Sequence, residues 1–223
     1  MQSLPLARAI ILAARRGAWG TAGVAMHEQK WIVAITGAPA TGKSALAALL
    51  RSRCGWPLLT KDGIKETLFE TLGAGDRAWS RRLSDASFEL LFQFAADLAR
   101  DAPVSVLEGN FRAPVHCERL RALANAYAAR LMIVELHAAP AIIAQRLRQR
   151  TLDAARHPGH LDGDLAAEIQ VETARPRAVP GLRACADVWL RRDTSGLDDA
   201  ALQAIASAIL AALPAWQSVG ARR

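Results

Sequence analysis

The sequence predicts an α/β fold in which a five-stranded parallel sheet is covered by helices on both faces. The order of the segments along the chain leads to this fold class. Five short apolar runs of strand type alternate along the chain with longer segments of helical periodicity. This alternation is typical of a parallel sheet, because each crossover between parallel strands needs a connecting helix that then covers one face. We therefore expect three layers.

The strands are expected in apolar runs that are bounded by polar residues, glycine or proline. They occupy residues 31–36, 56–60, 104–107, 131–136 and 187–190. The helices are expected where apolar residues recur with a period of about 3.6. These segments span residues 45–50, 64–72, 78–100, 114–129, 140–150, 164–173 and 197–213.

A chain of 223 residues with 52% apolar residues is long enough for one well-buried domain. We expect this domain at residues 30–214, since the sequence has no internal repeat. Residues 1–29 are interpreted as a poorly ordered extension, because the first 26 contain three arginines and no acid. A transit peptide, a loose extension and an upstream start codon explain this composition equally well. Residues 215–223 are expected to form a C-terminal tail.

Composition limits the location and the partners. No apolar run approaches the roughly 20 residues that cross a bilayer, so we expect no membrane partner. Cys54, Cys117 and Cys185 stand singly, which argues against a disulfide framework or a zinc cluster and favours the cytoplasm. The termini carry +4 of the net charge of +7, and the remaining +3 suits an anionic small ligand as well as a nucleic acid. Nothing indicates the oligomeric state.

Lysine is rare in this chain. Only Lys30, Lys43, Lys61 and Lys65 are lysines among the 28 basic residues. Lys43 belongs to the glycine-rich motif described next, whereas Lys61 and Lys65 flank Asp62. For this flanking pair, a role at a site and a solvated surface position are equally consistent with the sequence.

Residues 37–44 read Gly-Ala-Pro-Ala-Thr-Gly-Lys-Ser and fit the phosphate-binding pattern G-x-x-x-x-G-K-[S/T] at every fixed position. The motif follows a strand-type run and precedes a helix-forming run, which is the context that it needs. Gly37 and Gly42 allow backbone conformations in which successive N–H groups turn towards one anion. The motif therefore predicts a binding site for a nucleotide phosphate.

Each side chain at the end of the motif has a chemical role. Lys43 would reach the β- and γ-phosphates as a point charge, and the Ser44 hydroxyl would bind a Mg²⁺ that bridges them. A nucleoside triphosphate and Mg²⁺ are therefore the expected cofactors, and the resemblance described below makes ATP the expected nucleotide. The residues expected to contact the nucleotide are Gly37, Ala38, Pro39, Ala40, Thr41, Gly42, Lys43, Ser44 and Ala45.

Polar residues also follow the next two strands. Asp62 comes after the second strand, and Glu108 and Asn110 follow the third. In an open parallel sheet, ligands bind at the carboxyl ends of the strands. We therefore expect these polar residues to lie beside the phosphate-binding loop.

These residues resemble the small P-loop kinases of the nucleoside-monophosphate kinase type, and especially the AAA, zeta-toxin-like, chloramphenicol-phosphotransferase-like and polynucleotide-5′-kinase-like group. The resemblance covers about residues 30–212 and implies a three-layer P-loop NTPase fold with a small lid at about 151–163. It is carried by residues 37–44, 60–65, 107–112 and the arginine-rich segment 145–150, followed by 156–160.

The resemblance implies that Asp62 is the general base that accepts the proton of a substrate hydroxyl. A helix N-cap is the alternative role for this aspartate, and the two roles are compatible. Asp62 or Glu108 would also hold Mg²⁺ through water. By the same resemblance, the acceptor would contact Lys65, Glu108, Asn110, Arg112 and Arg156; a structural role for Glu108 and surface positions for Arg112 and Arg156 remain open.

The resemblance further assigns Arg146 and Arg150 to the entry of the lid. They share one helix face, and they would contact the adenine face and the transferring phosphate. Arg156 would extend this role, while a solvated arginine face is the alternative. His157 and His160 are interpreted as lid residues and not as metal ligands, because no carboxylate or cysteine stands at ligand spacing.

The function expected from these residues is an ATP-dependent phosphotransferase that acts on a hydroxyl of a small molecule. No N-K-x-D pattern for guanine occurs, which by resemblance favours ATP over GTP. Two alternatives stay open: a nucleotide-binding regulator or toxin-like ATPase without an acceptor, and a nucleic-acid 5′-hydroxyl kinase. The sequence does not identify the acceptor.

Overall fold

The computed structural model describes residues 29–151 and 181–213. Several predicted features lie outside the described residues. These are the N-terminal extension except Gln29, the lid beyond Thr151 together with Arg156, His157 and His160, the helix at 164–173, and the tail at 215–223.

A five-stranded parallel sheet forms the centre of the described domain, with the strand order β2-β3-β1-β4-β5. The strands are β1 (Lys30–Gly37), β2 (Leu58–Thr60), β3 (Val104–Glu108), β4 (Ala129–His137) and β5 (Val188–Asp193). Because β1 lies between β3 and β4, the chain crosses the sheet in opposite directions from β1, and a crevice opens at the carboxyl end of this strand. The predicted sheet is confirmed.

Helices cover both faces of the sheet, as predicted. They are α1 (Lys43–Cys54), α2 (Lys61–Leu72), α3 (Arg77–Asp101), α4 (Val115–Ala126), α5 (Pro140–Thr151) and α6 (Asp199–Ala211), with a 3₁₀ turn at Leu182–Cys185. One core packs α1 and α6 against the sheet through residues such as Leu50 and Ile209. The other core packs α3 and α4 through Leu91 and Leu120. The two cores fix the position of the strand ends that carry the polar residues.

Two element boundaries differ from the prediction near the crevice. Helix α2 begins at Lys61, directly after β2, because Thr60 caps the helix: its Oγ1 accepts a hydrogen bond from the Gly63 N–H at 3.2 Å. Strand β5 extends to Asp193, so Arg191 and Arg192 lie in the strand and not in the loop after it. The longer strand is paired with β4 as far as His137.

Cys117 of α4 and Cys185 of the 3₁₀ turn form a disulfide, with their Cα atoms 5.7 Å apart. The expectation that the chain has no disulfide framework is therefore wrong for these two cysteines. Tertiary packing joins residues that are 68 positions apart, which the spacing of single cysteines does not reveal. Cys54 is a free thiol. The cytoplasmic location, which rested partly on unpaired cysteines, stays a prediction.

Across the two described ranges, every helix is too short or too polar to span a membrane.

Candidate active site

The loop between β1 and α1 has the backbone that a phosphate-binding loop needs. Gly37 and Gly42 adopt positive φ angles of 146° and 89°, and Ala40 has φ of 61°. A Cβ on Gly37 would collide with the carbonyl oxygen of Leu136, and one on Gly42 would collide with the Leu197 side chain. Gly37 is thus required by its conformation and by its close approach to the backbone of Leu136, whereas Gly42 is required mainly by its conformation.

Lys43 is buried at the first position of α1, and its Nζ donates a hydrogen bond to the Ala38 carbonyl at 2.9 Å. Burial lowers the pKa of Lys43, while the charges of Glu108 and Asp62 act in the opposite direction. The ammonium group therefore lies among the loop carbonyls and the two acids that the sequence placed at neighbouring strand ends.

Glu108 is the last residue of β3 and is only 1% exposed. Burial raises its pKa to about 7; Lys43 opposes this rise and Asp62 adds to it. A hydrogen bond from the Ser44 side chain stabilises the charged form. The predicted metal-binding hydroxyl and the predicted strand-end acid are therefore in direct contact.

Asp62 lies in the first turn of α2, next to the pair formed by β2 and β3, where Thr60 is in register with Glu108. Its Oδ1 is 3.3 Å from Nζ of Lys61, and its side chain is about half exposed at 45%. Because Thr60 supplies the N-cap, the alternative of Asp62 as the capping residue is wrong. The carboxylate faces the charges of Lys43 and Glu108 instead.

The residues predicted to contact the acceptor differ in their surroundings. Lys65 is half-buried and its Nζ donates to the Ser80 hydroxyl at 2.9 Å, which links α2 to α3. Burial and the neighbouring charge of Lys61 lower the pKa of Lys65, against the attraction of Asp62. Asn110 is partly buried beyond β3, whereas Arg112 is exposed.

The segment after β3 is fixed by a histidine that the sequence analysis did not select. Nδ1 of His116 accepts a hydrogen bond from the Arg112 backbone N–H at 2.8 Å, and the backbone N–H of His116 donates to the Arg112 carbonyl at 3.0 Å. The imidazole is stacked on Phe88 with ring centroids 4.1 Å apart. His116 thus determines the course of the chain at Arg112.

Arg146 of α5 is bonded to backbone carbonyls on two loops. Its guanidinium donates to Ala40 of the phosphate-binding loop at 3.2 Å, and to Thr194 and Ser195 after β5 at 2.7 and 3.2 Å. These contacts join the two loops that flank the crevice. Arg150 lies one turn further on, and its charge lowers the pKa of Lys43.

Lys61 is the residue that sequence reasoning left undecided and that the structure places inside the site. It is 6% exposed, so the solvated surface position is wrong for this lysine. The available signal was the rarity of lysine in an arginine-rich chain.

Within residues 29–151 and 181–213, there is no group of three or more histidine, cysteine, aspartate or glutamate residues that could hold a metal ion.

The profile of the AAA domain family matches residues 32–164, which is more than half of the chain. The chain belongs to the AAA domain family. No curated protein matches it significantly. Among solved structures, this AAA domain is similar to a "putative kinase" from Chloroflexus aurantiacus, with a TM-score of 0.68 and 29% identity over 82% of this chain and 97% of that one.

Two further structures share the fold of this AAA domain at low sequence identity. A gluconokinase from Sinorhizobium meliloti has a TM-score of 0.51 and 18% identity over 88% of this chain and 98% of that one. A sugar kinase from Janibacter has a TM-score of 0.51 and 10% identity over 84% and 98%. The predicted small P-loop kinase fold, with its nucleotide-binding loop, is thereby confirmed.

Proposed function

We propose that this AAA domain is an ATP-dependent phosphotransferase that moves the γ-phosphate of ATP to a hydroxyl of a small molecule. One observation carries the proposal: Lys43, Asp62 and Glu108 come together at the phosphate-binding loop, although they belong to the carboxyl ends of three different strands. Phosphoryl transfer needs mainly positioning and electrostatic stabilisation. A phosphate cradle with one ammonium and two carboxylates supplies both.

The donor half of the site is the loop Gly37–Ala45 with its flanking cations. The backbone N–H groups of the loop would hold the phosphates, and Lys43 would neutralise the charge that develops on the transferred group. Arg146 would support the adenine side, since it joins the loop to Thr194 and Ser195. Arg150 would add charge near the γ-phosphate, and Arg156 would do so from the lid.

The oxygen groups near Ser44 fit Mg²⁺, which prefers hydroxyl, carboxylate and water ligands. The Ser44 hydroxyl, already in contact with the Glu108 carboxylate, would bind the ion directly. Glu108 or Asp62 would hold it through water. When bound, the ion neutralises charge on the β- and γ-phosphates.

The acceptor half would lie between α2 and the segment after β3. Asp62 is half exposed there, so its carboxylate can accept the proton of an incoming hydroxyl as the oxygen attacks the γ-phosphorus. Breaking the bond to the β,γ-bridging oxygen releases ADP. Lys65, Asn110 and Arg112 would orient the acceptor.

The base assignment is tested with Asp62→Asn, which keeps the size of the side chain and removes the proton acceptor. With ATP, Mg²⁺ and a panel of hydroxylated metabolites, we expect acceptor-dependent ADP formation to fall by roughly 10²- to 10⁴-fold. Asp97→Asn, an exposed acid on α3, is the matched control and retains full activity. Unchanged turnover in Asp62→Asn would contradict the assignment.

The same panel separates the alternative functions. A nucleotide-binding regulator would bind ATP and hydrolyse it slowly, without any rate that depends on an acceptor. A 5′-hydroxyl oligonucleotide in the panel would become labelled if the protein were a nucleic-acid kinase. A phosphorylated metabolite, detected by its mass, identifies the small-molecule enzyme.

A further inference from the structure

The Cys117–Cys185 disulfide lies in the core that packs α3 and α4, whereas Cys54 packs in the core on the other face of the sheet. Cys185 is 7% exposed, and Cys117 is partly exposed in the first turn of α4. The Cys117 sulfur is therefore the one that a small thiol from solution reaches. Its attack releases Cys185 as a thiolate, and the Arg121 guanidinium, which donates to the Cys185 carbonyl, places a positive charge nearby.

The 3₁₀ turn that carries Cys185 is also held by contacts that do not involve sulfur. Arg121 of α4 donates to both carboxylate oxygens of Asp187 at 3.1 Å and to the Cys185 carbonyl. Asp187 accepts the Leu131 N–H at 2.6 Å, and its own backbone N–H donates to the Leu131 carbonyl at 2.8 Å. Leu182 is buried in the same core. These contacts keep the turn in place without the cross-link, so the two sulfurs stay close after reduction.

The cross-link anchors the first turn of α4. Pro114 stands at the N-cap of this helix, and a proline side chain has no atom that accepts a hydrogen bond from the first turn. Cys117 directly follows His116, whose Nδ1 accepts the Arg112 N–H at 2.8 Å. Opening the disulfide therefore loosens the turn that holds this imidazole at Arg112.

Phe111 limits how far such a loosening can spread. The Thr36 hydroxyl, at the end of β1, donates to the Phe111 carbonyl at 3.3 Å, and the Phe111 side chain is buried in the core. Arg112 is the next residue, and it is exposed. A change in the first turn of α4 would therefore reach Arg112 and leave the phosphate-binding loop as it is.

We propose that Cys117 and Cys185 form a reversible thiol–disulfide site that reacts with small thiols and disulfides and controls the order of the chain from Arg112 to the first turn of α4. In oxidation, the Cys117 thiolate attacks a small disulfide and releases one small thiol. The Cys185 thiolate then attacks the Cys117 sulfur of the mixed disulfide and releases the second. Two protein thiols are oxidised, one small disulfide is reduced to two thiols, and the two protons pass to these thiols. The inference goes beyond the proposed function and does not depend on it.

The test measures backbone amide exchange by NMR on the full chain with Cys54→Ser, which leaves the pair as the only cysteines. The protein is reduced with dithiothreitol and then reoxidised with glutathione disulfide, and free thiols are counted by alkylation and mass. We expect the Arg112 amide to exchange at least about fivefold faster in the reduced protein. Reoxidation should restore the slow exchange. The Leu131 amide, which is bonded to Asp187, should stay equally protected in both forms.

The matched control also carries Cys117→Ser and Cys185→Ser, so neither reagent can react with it. Its Arg112 amide should exchange as fast as in the reduced protein, whether dithiothreitol or glutathione disulfide is present. Its Leu131 amide should remain protected, which shows that the 3₁₀ turn stays docked without the cross-link.

Equal exchange of the Arg112 amide in the oxidised and reduced forms would overturn the control of this segment. Loss of protection at Leu131 on reduction, or a control variant that does not fold, would show that the cross-link is purely structural and would reject the reversible site. Failure of glutathione disulfide to re-form the cross-link would reject it as well. These measurements involve neither ATP nor an acceptor, so their outcome is separate from that of the proposed function.

Discussion

The Ser44 side chain and the Glu108 carboxylate are joined by a hydrogen bond between the start of α1 and the end of β3. Glu108 is almost completely buried, and burial raises its pKa to about 7 despite the attraction of Lys43. In the protein without nucleotide, an ionised Glu108 therefore costs folding free energy. The contact links the phosphate-binding loop to β3 through the Glu108 carboxylate. Its ionised form is destabilised by burial in the folded protein.

Replacing this carboxylate should stabilise the nucleotide-free protein at neutral pH. The folded pKa lies above the unfolded value, so between about pH 4.5 and 7 the folded state binds more protons and stability falls as the pH rises. Glu108→Gln removes this loss. We expect its free energy of unfolding, relative to the unmodified protein, to increase by about 2 to 3 kcal/mol between pH 4.5 and 8. Urea unfolding without Mg²⁺ measures it, and a pH-independent difference would contradict the account.

Gly42 and Gly55, the residues that flank α1 at its two ends, provide a matched pair for substitution by alanine. Gly42 and Gly55 both have positive φ, but only at Gly42 would a Cβ meet another side chain, that of Leu197. Gly55→Ala should cost only the backbone strain of about 1 kcal/mol. Gly42→Ala should cost more and weaken binding of an ATP analogue at least tenfold, as measured by calorimetry. Equal effects would show that packing at Gly42 is unimportant.

Arg146 should act mainly through its geometry. Its planar guanidinium donates to three carbonyls on two loops, and a lysine cannot reproduce this fork. We expect Arg146→Lys to lower the free energy of unfolding by about 1 to 2 kcal/mol and to weaken ATP-analogue binding. Arg82→Lys, at an exposed position of α3, is the control. If both variants behave alike in urea unfolding and calorimetry, charge and not geometry matters.

Acid should destabilise the segment after β3 through His116. Nδ1 of this histidine accepts the Arg112 N–H, which requires that this nitrogen is unprotonated. Burial lowers the pKa of His116, and Arg119 and Arg112 lower it further, against Asp85 and Glu89. The unfolded state therefore binds more protons as the pH falls below about 6.5, and stability decreases.

His116→Asn keeps an acceptor at this position and does not titrate. When the pH falls from 7 to 5, the unmodified protein should therefore lose more unfolding free energy than His116→Asn does. Thermal or urea unfolding at the two pH values checks it. A difference that stays constant would show that His116 titrates alike in both states.

Local sequence patterns predicted most of the fold. Continuous apolar runs located the five strands. The 3.6-residue period of the apolar residues located the described helices, since burial on one helix face imposes that period. The glycine-rich motif located the phosphate-binding loop, because positive φ at Gly37 and Gly42 is a local requirement. The strand-end positions of Asp62 and Glu108 also followed from the order of the elements.

Only the tertiary structure decided which groups touch and which are buried. The Cys117–Cys185 disulfide, the burial of Lys61 and the contact of Ser44 with Glu108 all join or enclose residues from separate elements. Such contacts depend on how helices pack on the sheet, and packing is a property of the whole chain. The sequence by itself determined the phosphate-binding loop and the sheet that supports it; tertiary packing placed the lysines and acids around that loop.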